Sequence, residues 1–186
     1  MPIVEVHLLE GYSAAEKSRL TRALTDAVRL VVPASDEAVT VMVHEMAAEN
    51  YSRGGQSRSP AAALPDPKQL ALDFLEALEA RNLEAAEALL APDFQMTFPG
   101  SKAMTTIGAL INWAKDRYHF VKKTITSAEA FHSESCAKVY VSGTLSGEWL
   151  DDTSFKGIRF IDRFVVKHGK LISLNVWNDL AEEVRK

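Results

Sequence analysis

The residue with the least ordinary chemical prospect in this chain is Pro2, directly after Met1. Proline at that position is small enough to let the initiator Met be removed. Pro2 would then carry a free secondary amine at the head of the apolar run Ile3-Val4-Glu5-Val6-His7-Leu8-Leu9. A peptide α-amine titrates at about 7.7–8.0, and a dry pocket or a nearby cation lowers that value by disfavouring the charged form. An amine that is neutral near pH 7 can act as a general base. In most chains a proline here is simply the second residue, so the elements around it must decide between the two readings.

Those elements are legible. A short strand follows Pro2 and turns at Gly11. Ser13 precedes Glu16 by three residues, the spacing of a capping box. Leu20, Ala23, Leu24, Ala27, Val28 and Val31 then recur at helical period. Pro33 stops the helix. A second strand runs from Ala38 to Met46. Strand, helix and strand in so short a span form one βαβ unit, which predicts parallel strands and a right-handed crossover. Gly54-Gly55 then permits a tight turn or hairpin.

Residues 2–56 resemble a subunit of the 4-oxalocrotonate tautomerase family. The resemblance is carried by Pro2-Ile3-Val4-Glu5-Val6-His7-Leu8-Leu9-Glu10-Gly11, the amphipathic helix, Val41-Met42-Val43-His44-Glu45-Met46, and Tyr51 ahead of Gly54-Gly55. It implies that Pro2 is the general base or acid of keto–enol chemistry and that Tyr51 walls the pocket. The family's two arginines, which bind carboxylate and polarise the carbonyl, are not matched: Tyr12 and Thr40 stand in their places. The fold and the proline carry over, and the dicarboxylate substrate does not. The resemblance also implies a homo-oligomer, with a hexamer favoured over a dimer or trimer. About 60 residues are near the lower limit for an independent core. Val4, Val6, Leu8, Val39, Val41 and Val43 can face the helix, which leaves Ile3, His7, Met42 and His44 on a face that needs other cover.

The chain as a whole has 186 residues, enough for two small domains. Its 47% apolar and 25% charged content is ordinary for a globular protein. A net charge of −4 argues against nucleic acid as a partner. No signal peptide or bilayer-spanning run is visible, and a single cysteine, Cys136, cannot close an intrachain disulfide. A cytoplasmic location and no membrane partner are expected.

Residues 57–67 contain three prolines and a run of small residues, and read as a linker between domains at 1–56 and 68–186. The second domain opens with Asp66 as N-cap and Pro67 at the first helical position, followed by a stripe of Leu70, Ala71, Phe74, Ala77 and Leu78. A short helix from about Leu83 to Leu90, a strand over Asp93–Phe98 and a helix over Thr106–Tyr118 come next. The period then changes to two, predicting long strands over His119–His132, Cys136–Trp149, Phe155–Lys167 and Leu171–Asn178. The connections Ser133-Glu134-Ser135, Asp151-Asp152-Thr153 and His168-Gly169 read as hairpins. The fold class is therefore α+β. Residues 68–186 resemble the nuclear transport factor two-like superfamily, in particular its SnoaL-like members, through this element order and the ending Phe160-Ile161-Asp162-Arg163-Phe164, His168-Gly169-Lys170-Leu171-Ile172 and Trp177-Asn178-Asp179. That resemblance implies a cone of helices against a curved antiparallel sheet with a pocket between them. It does not imply ketosteroid isomerisation, because Phe98 or Pro99 and Phe74 stand where that activity needs Asp and Tyr.

Other chemistry is excluded by spacing. His44-Glu45 lacks the second His of a zinc-protease helix, since position 48 is Ala. Gly143-Thr144-Leu145-Ser146-Gly147 is not a nucleophile elbow. No phosphate-binding glycine loop occurs. The five histidines show no metal-ligand spacing and read as surface or hydrogen-bonded structural residues. Neither a metal nor a cofactor is expected.

Three further residues carry two readings each. Arg53, beside the glycine turn, can replace a missing arginine because its planar fork suits carboxylate or enolate oxygens, or it is a solvated tail residue. Tyr12 can donate to a carbonyl or fill space. Asp162, among Ile158, Phe160 and Phe164, can be an acid or base with a raised pKa, or the partner of Arg159 or Arg163. Phe98, Trp113 and Trp149, with Phe74, Tyr118 and Asp162, are expected to bound an apolar pocket. The functional expectation is proton transfer on a small enol or carbonyl substrate by Pro2, with Arg53 and Tyr12 as catalytic partners and Tyr51 and Thr40 lining the site. The alternative is a silent tautomerase half that serves oligomerisation, beside a second domain that binds a small hydrophobic ligand or acts as a cyclase or isomerase.

Overall fold

The computed structural model describes residues 1–133 and 135–183, so Glu134 of the Ser133–Ser135 connection lies outside the described residues. The chain divides into two compact units, Met1–Ala63 and Leu64 onward. The division falls inside the proline-rich stretch.

In the first unit, β1 (Ile3–Leu9) pairs in parallel with β2 (Thr40–Met46), with Ile3 opposite Thr40 and Leu9 opposite Met46. Helix α1 (Ala14–Arg29) connects them. Its capping box is complete: Ser13 Oγ accepts from Glu16 N–H at 3.3 Å, and the Ser13 N–H donates to the Glu16 carboxylate at 2.7 Å. This satisfies two backbone donors that the first turn would otherwise leave open. Lys17 pairs with Glu45 at 2.6 Å and ties the helix to β2. A hairpin of β3 (Ser52–Arg53) and β4 (Gln56–Ser57) follows, its turn made by Gly54 and Gly55, both at positive φ.

The sheet alternates as expected. Val4, Val6, Leu8, Val41 and Val43 are half-buried, whereas Ile3, Glu5, His7, Met42 and His44 are exposed. The second strand starts later than expected, because Asp36–Ala38 form a 3₁₀ turn. The helical stripe is narrower than its period predicts: Leu20, Leu24 and Val28 are half-buried, but Ala23, Ala27 and Val31 are exposed. Two strands are too narrow a floor to cover the whole apolar flank. No residue of Met1–Ala63 is buried, so this unit as one copy has no closed core.

The second unit does have one. Helices α2 (Pro67–Glu79), α3 (Leu83–Ala88) and α4 (Ile107–Lys115) accompany a five-stranded sheet ordered β5-β9-β8-β7-β6. Its strands are β5 (Leu90–Thr97), β6 (Tyr118–Ser133), β7 (Cys136–Trp149), β8 (Ser154–Lys167) and β9 (Lys170–Asn178), and a short α5 (Leu180–Glu183) follows. The four long strands form an antiparallel meander, while β5 joins β9 in parallel. Asp66 caps α2 by accepting from Lys68 N–H at 2.9 Å, and α2 buries Leu70, Ala71, Phe74 and Leu75. The rings of Phe94 and Phe164 each lie 6.1 Å from that of Phe74. Burying one such aromatic side chain stabilises the fold by about 1.5–3 kcal/mol.

The sheet curves at register shifts, two of them between β6 and β7. Glycine makes that approach feasible. A Cβ on Gly143 would lie 2.0 Å from the Thr124 carbonyl oxygen, and one on Gly147 would lie 2.3 Å from that of Phe120. No helix among the described residues is long and apolar enough to cross a membrane.

Candidate functional site

In the first unit, a cleft of about 360 Å³ opens at the carboxyl ends of β1 and β2. His7, Leu9, Tyr12, Met46 and Tyr51 line it, and Arg53 and Arg58 bring two cations to it. The turn after β1 makes this arrangement. Gly11 has φ +128°, and a Cβ there would lie 3.2 Å from Pro60 Cγ, so glycine lets the segment after β4 fold back against the turn. Ser59, Pro60 and Ala61 close that side.

Pro2 is not part of this cleft. It sits half-buried at the opposite end of β1, where its carbonyl accepts from Thr40 N–H at 3.0 Å. Seven residue steps of strand separate Pro2 from Leu9, roughly 23 Å at the usual rise of ~3.3 Å per residue. One copy of the chain therefore groups Tyr12, Tyr51 and Arg53 at one end of the sheet and Pro2 with Thr40 at the other. Arg58 is a cleft residue that sequence reasoning assigned to the linker. The available signal was its place just past the glycine hairpin, which returns it beside Arg53.

In the second unit, Asp162 on β8 is fully buried. Its carboxylate pairs with Lys123 of β6, not with Arg159 or Arg163. Arg159 is engaged with Asp179 at 2.6 Å. Burial pushes the Asp162 carboxyl up, and the Lys123 ammonium partly offsets this. Lys123 Nζ also lies 4.3 Å from the centroid of the Phe160 ring. Asp162 Oδ1 has no hydrogen-bond partner among the described residues. Lys123 faces a cleft of about 580 Å³ between α2 and β6, whose other walls include Leu72, Leu75 and Ile125, with Glu76 and Glu79 along α2.

The expected aromatic lining is distributed differently. Phe98, Trp113 and Tyr118 form a chain of ring contacts at 5.2 and 6.5 Å, and Arg117 stacks on Trp113 at 4.2 Å. Trp149, opposite Tyr118 in register, packs on Phe155 at 4.7 Å. Phe74 lies in the core. None of these aromatic residues lines the cleft beside Lys123.

Among the described residues, two side-chain groups have donors close enough together to share a metal ion: Glu5 with His7 and His44, and His119 with Glu148 and Asp152. Neither is visible as a linear spacing, because tertiary pairing brings the donors together.

Comparison with known proteins resolves the first unit. Residues 2–59 match the family model described as tautomerase enzyme. A probable tautomerase of Staphylococcus saprophyticus is 39% identical over 59 residues, which cover 32% of this chain and 97% of that protein. The chain belongs to the tautomerase family. Within that family, the 2-hydroxymuconate tautomerase of Bacillus subtilis is 36% identical over 59 residues, covering 32% of this chain and 95% of that protein. The tautomerase match ends before the second unit.

That unit has the NTF2-like fold. An NTF2-like protein of unknown function from Burkholderia pseudomallei superposes with TM-score 0.54 at 20% identity, covering 63% of this chain and 93% of that one. TerC, crystallised with polyporic acid, superposes with TM-score 0.53 at 15% identity, covering 63% and 94%. At such identities the likeness shows the fold alone. This tautomerase-family chain thus joins a tautomerase domain to an NTF2-like domain.

Proposed function

We propose that the chain is a cofactor-independent tautomerase whose base is the Pro2 nitrogen, acting on a small enol or carbonyl substrate. The observation that carries this reading is the family match that begins at Pro2, together with the two tyrosines and two arginines gathered in one cleft of the same domain. In the ketonising direction, the Pro2 amine takes the enol hydroxyl proton. The O–H electron pair becomes the carbonyl π bond, the C=C π pair moves to the adjacent carbon, and the prolinium returns the proton there. The ring fixes the nitrogen's orientation, so little orientational entropy remains to be lost.

Arg53 and Arg58 would hold the developing negative oxygen, and Tyr12 would donate to it. One such donor is worth roughly 2.7–4 kcal/mol in a dry site. Tyr51 would wall the substrate, and Thr40 would flank Pro2. Because Pro2 and the arginine cleft lie at opposite ends of one sheet, a complete site needs Pro2 of one copy beside the cleft of another. The tautomerase family is typically oligomeric, and a hexamer is the assembly we favour. With two arginines in places other than the family's usual ones, monoacid or uncharged enols fit better than diacids.

The test uses Met-processed protein, verified by intact mass, with phenylenolpyruvate as substrate. Retained Met1 would acylate the Pro2 nitrogen and abolish the base. Activity in the processed form and its loss in Pro2→Ala supports the reading; equal rates in both overturn it.

A second reading concerns the NTF2-like domain and rests on the Lys123–Asp162 pair beside its cleft. That domain would bind a small, largely apolar ligand whose polar end meets Lys123. Phe98, Trp113 and Trp149 would serve its packing elsewhere in the domain. Binding of quinones or phenols by wild type but not by Lys123→Met would support it.

A further inference from the structure

The sheet face turned away from α1 carries a ligand set to which the proposed proton-transfer chemistry gives no role, although one member, His7, also lines the arginine cleft. Glu5 and His7 are two residues apart on β1, so the strand's period of two puts them on the same face. The parallel register puts His44 of β2 directly opposite His7. Their imidazoles stack with centroids 4.8 Å apart and planes inclined by 17°. His44 Nε2 lies 4.0 Å from Glu5 Oε2, and one donor atom from each of the three residues falls within a 4.8 Å group.

We propose that Glu5, His7 and His44 bind a divalent transition-metal ion of the zinc class, one per chain. Two imidazole nitrogens and one carboxylate oxygen suit this borderline-soft ion, which takes nitrogen and oxygen donors at about 2.0–2.2 Å in tetrahedral geometry. Donors around such an ion stand roughly 3.3 Å apart, as those bond lengths require. The present spread of up to 4.8 Å closes to that value by rotation of three exposed side chains, with no movement of the paired strands. Three protein ligands leave a fourth position for water. The ion would clip β1 to β2 across the register pair His7–His44. Within a single copy those strands lack a covered back, since Ile3 and Met42 on the same face are 56% and 37% exposed.

Hard cations fit less well. Calcium and magnesium seek several oxygens, whereas this set offers one carboxylate. The second cluster reverses the ratio, with one histidine and two carboxylates at His119, Glu148 and Asp152. It serves as an internal control.

The experiment uses the full chain, stripped with chelator. Zinc chloride is added both to folded protein and during refolding, and bound metal is counted by native mass spectrometry and titration calorimetry. Cobalt(II) reports the ligand field. The expected result is about one zinc per chain, visible cobalt bands of low-coordinate type, and at least a tenfold loss of affinity in His7→Gln, His44→Gln and Glu5→Gln. His119→Gln should keep full binding. Circular dichroism and sedimentation confirm that each variant is folded. No stoichiometric zinc in either preparation overturns the proposal, as does equal binding by wild type and a folded His7→Gln/His44→Gln variant. Neither result bears on Pro2 chemistry, which phenylenolpyruvate turnover reads separately.

Discussion

Lys123 Nζ, on the edge strand β6, donates to Asp162 Oδ2 on β8, reaching past the intervening strand β7 to meet the one fully buried charged side chain among the described residues. The carboxylate is wholly enclosed, while the Lys123 side chain keeps 22% exposure. The cost of separating the pair therefore falls on Asp162. Lys123→Met should destabilise the NTF2-like domain by about 3 kcal/mol, the lower end of the range for stranding a buried partner, read from urea unfolding at neutral pH. A change near zero would mean that Asp162 is neutral in the wild type.

The same pair predicts a pH dependence. Burial raises the Asp162 pKa above 3.8, with Lys123 opposing. Between 3.8 and the folded value, the folded state holds a proton that the unfolded chain has released. This group's contribution to stability is thus fully present below the unfolded pKa and is lost as pH rises through the folded one. The stability of wild type minus that of Asp162→Asn should accordingly fall from about pH 4 upward. A rise of wild type relative to Asp162→Asn with pH would show that Lys123 outweighs burial.

Catalysis should depend on both ends of the tautomerase sheet. Pro2→Ala is expected to lower the turnover of phenylenolpyruvate by at least about 100-fold, the scale of losing a positioned base. Arg53→Ala and Arg58→Ala should each lower it by about 100-fold if each donates to the oxyanion. Unchanged turnover in both arginine variants would remove that cleft from the mechanism. Mixing inactive Pro2→Ala with inactive Arg53→Ala and reassembling them should restore part of the activity, because a site shared between copies is then rebuilt from two intact halves.

Assembly is the next expectation. No residue of the first unit is buried, and Ile3, Leu30 and Val31 are 56, 86 and 85% exposed. Apolar groups so placed are what association with other copies would cover. Sedimentation should find an oligomer, with a hexamer favoured, and Ile3→Glu should dissociate it while the near-ultraviolet signal of the NTF2-like domain persists. A wild-type monomer of 20.5 kDa at micromolar concentration would rule this out.

Gly143 gives a purely steric prediction. Any Cβ there would sit 2.0 Å from a backbone oxygen of β6, which cannot yield without parting the ladder. Gly143→Ala should cost roughly 3 kcal/mol or more, at or above the upper end of ordinary overpacking, in a thermal or urea melt. Gly157, whose added Cβ would meet nothing within 4 Å, has φ +79° and should lose only the smaller backbone contribution, about 1–2 kcal/mol.

The sequence by itself determined the elements and the family. Ser13 and Glu16 announce α1, Asp66 and Pro67 announce α2, and period-two alternation marks β6 to β9 nearly to the residue. These are local signals: a cap or a pleat depends on neighbours a few positions away. The proline at position 2 and the motif after it identify the tautomerase domain for the same reason. Tertiary structure decided every relationship between distant residues. It chose Lys123 over two nearby arginines for Asp162, because strand register, not sequence proximity, sets which side chains share a face. It folded Arg58 back to Arg53 through a glycine hairpin. It stacked His7 on His44 across a parallel pairing that no linear spacing encodes. It also kept Pro2 a full strand length away from the arginine cleft, which is why the proposed catalytic site calls for more than one copy of the chain.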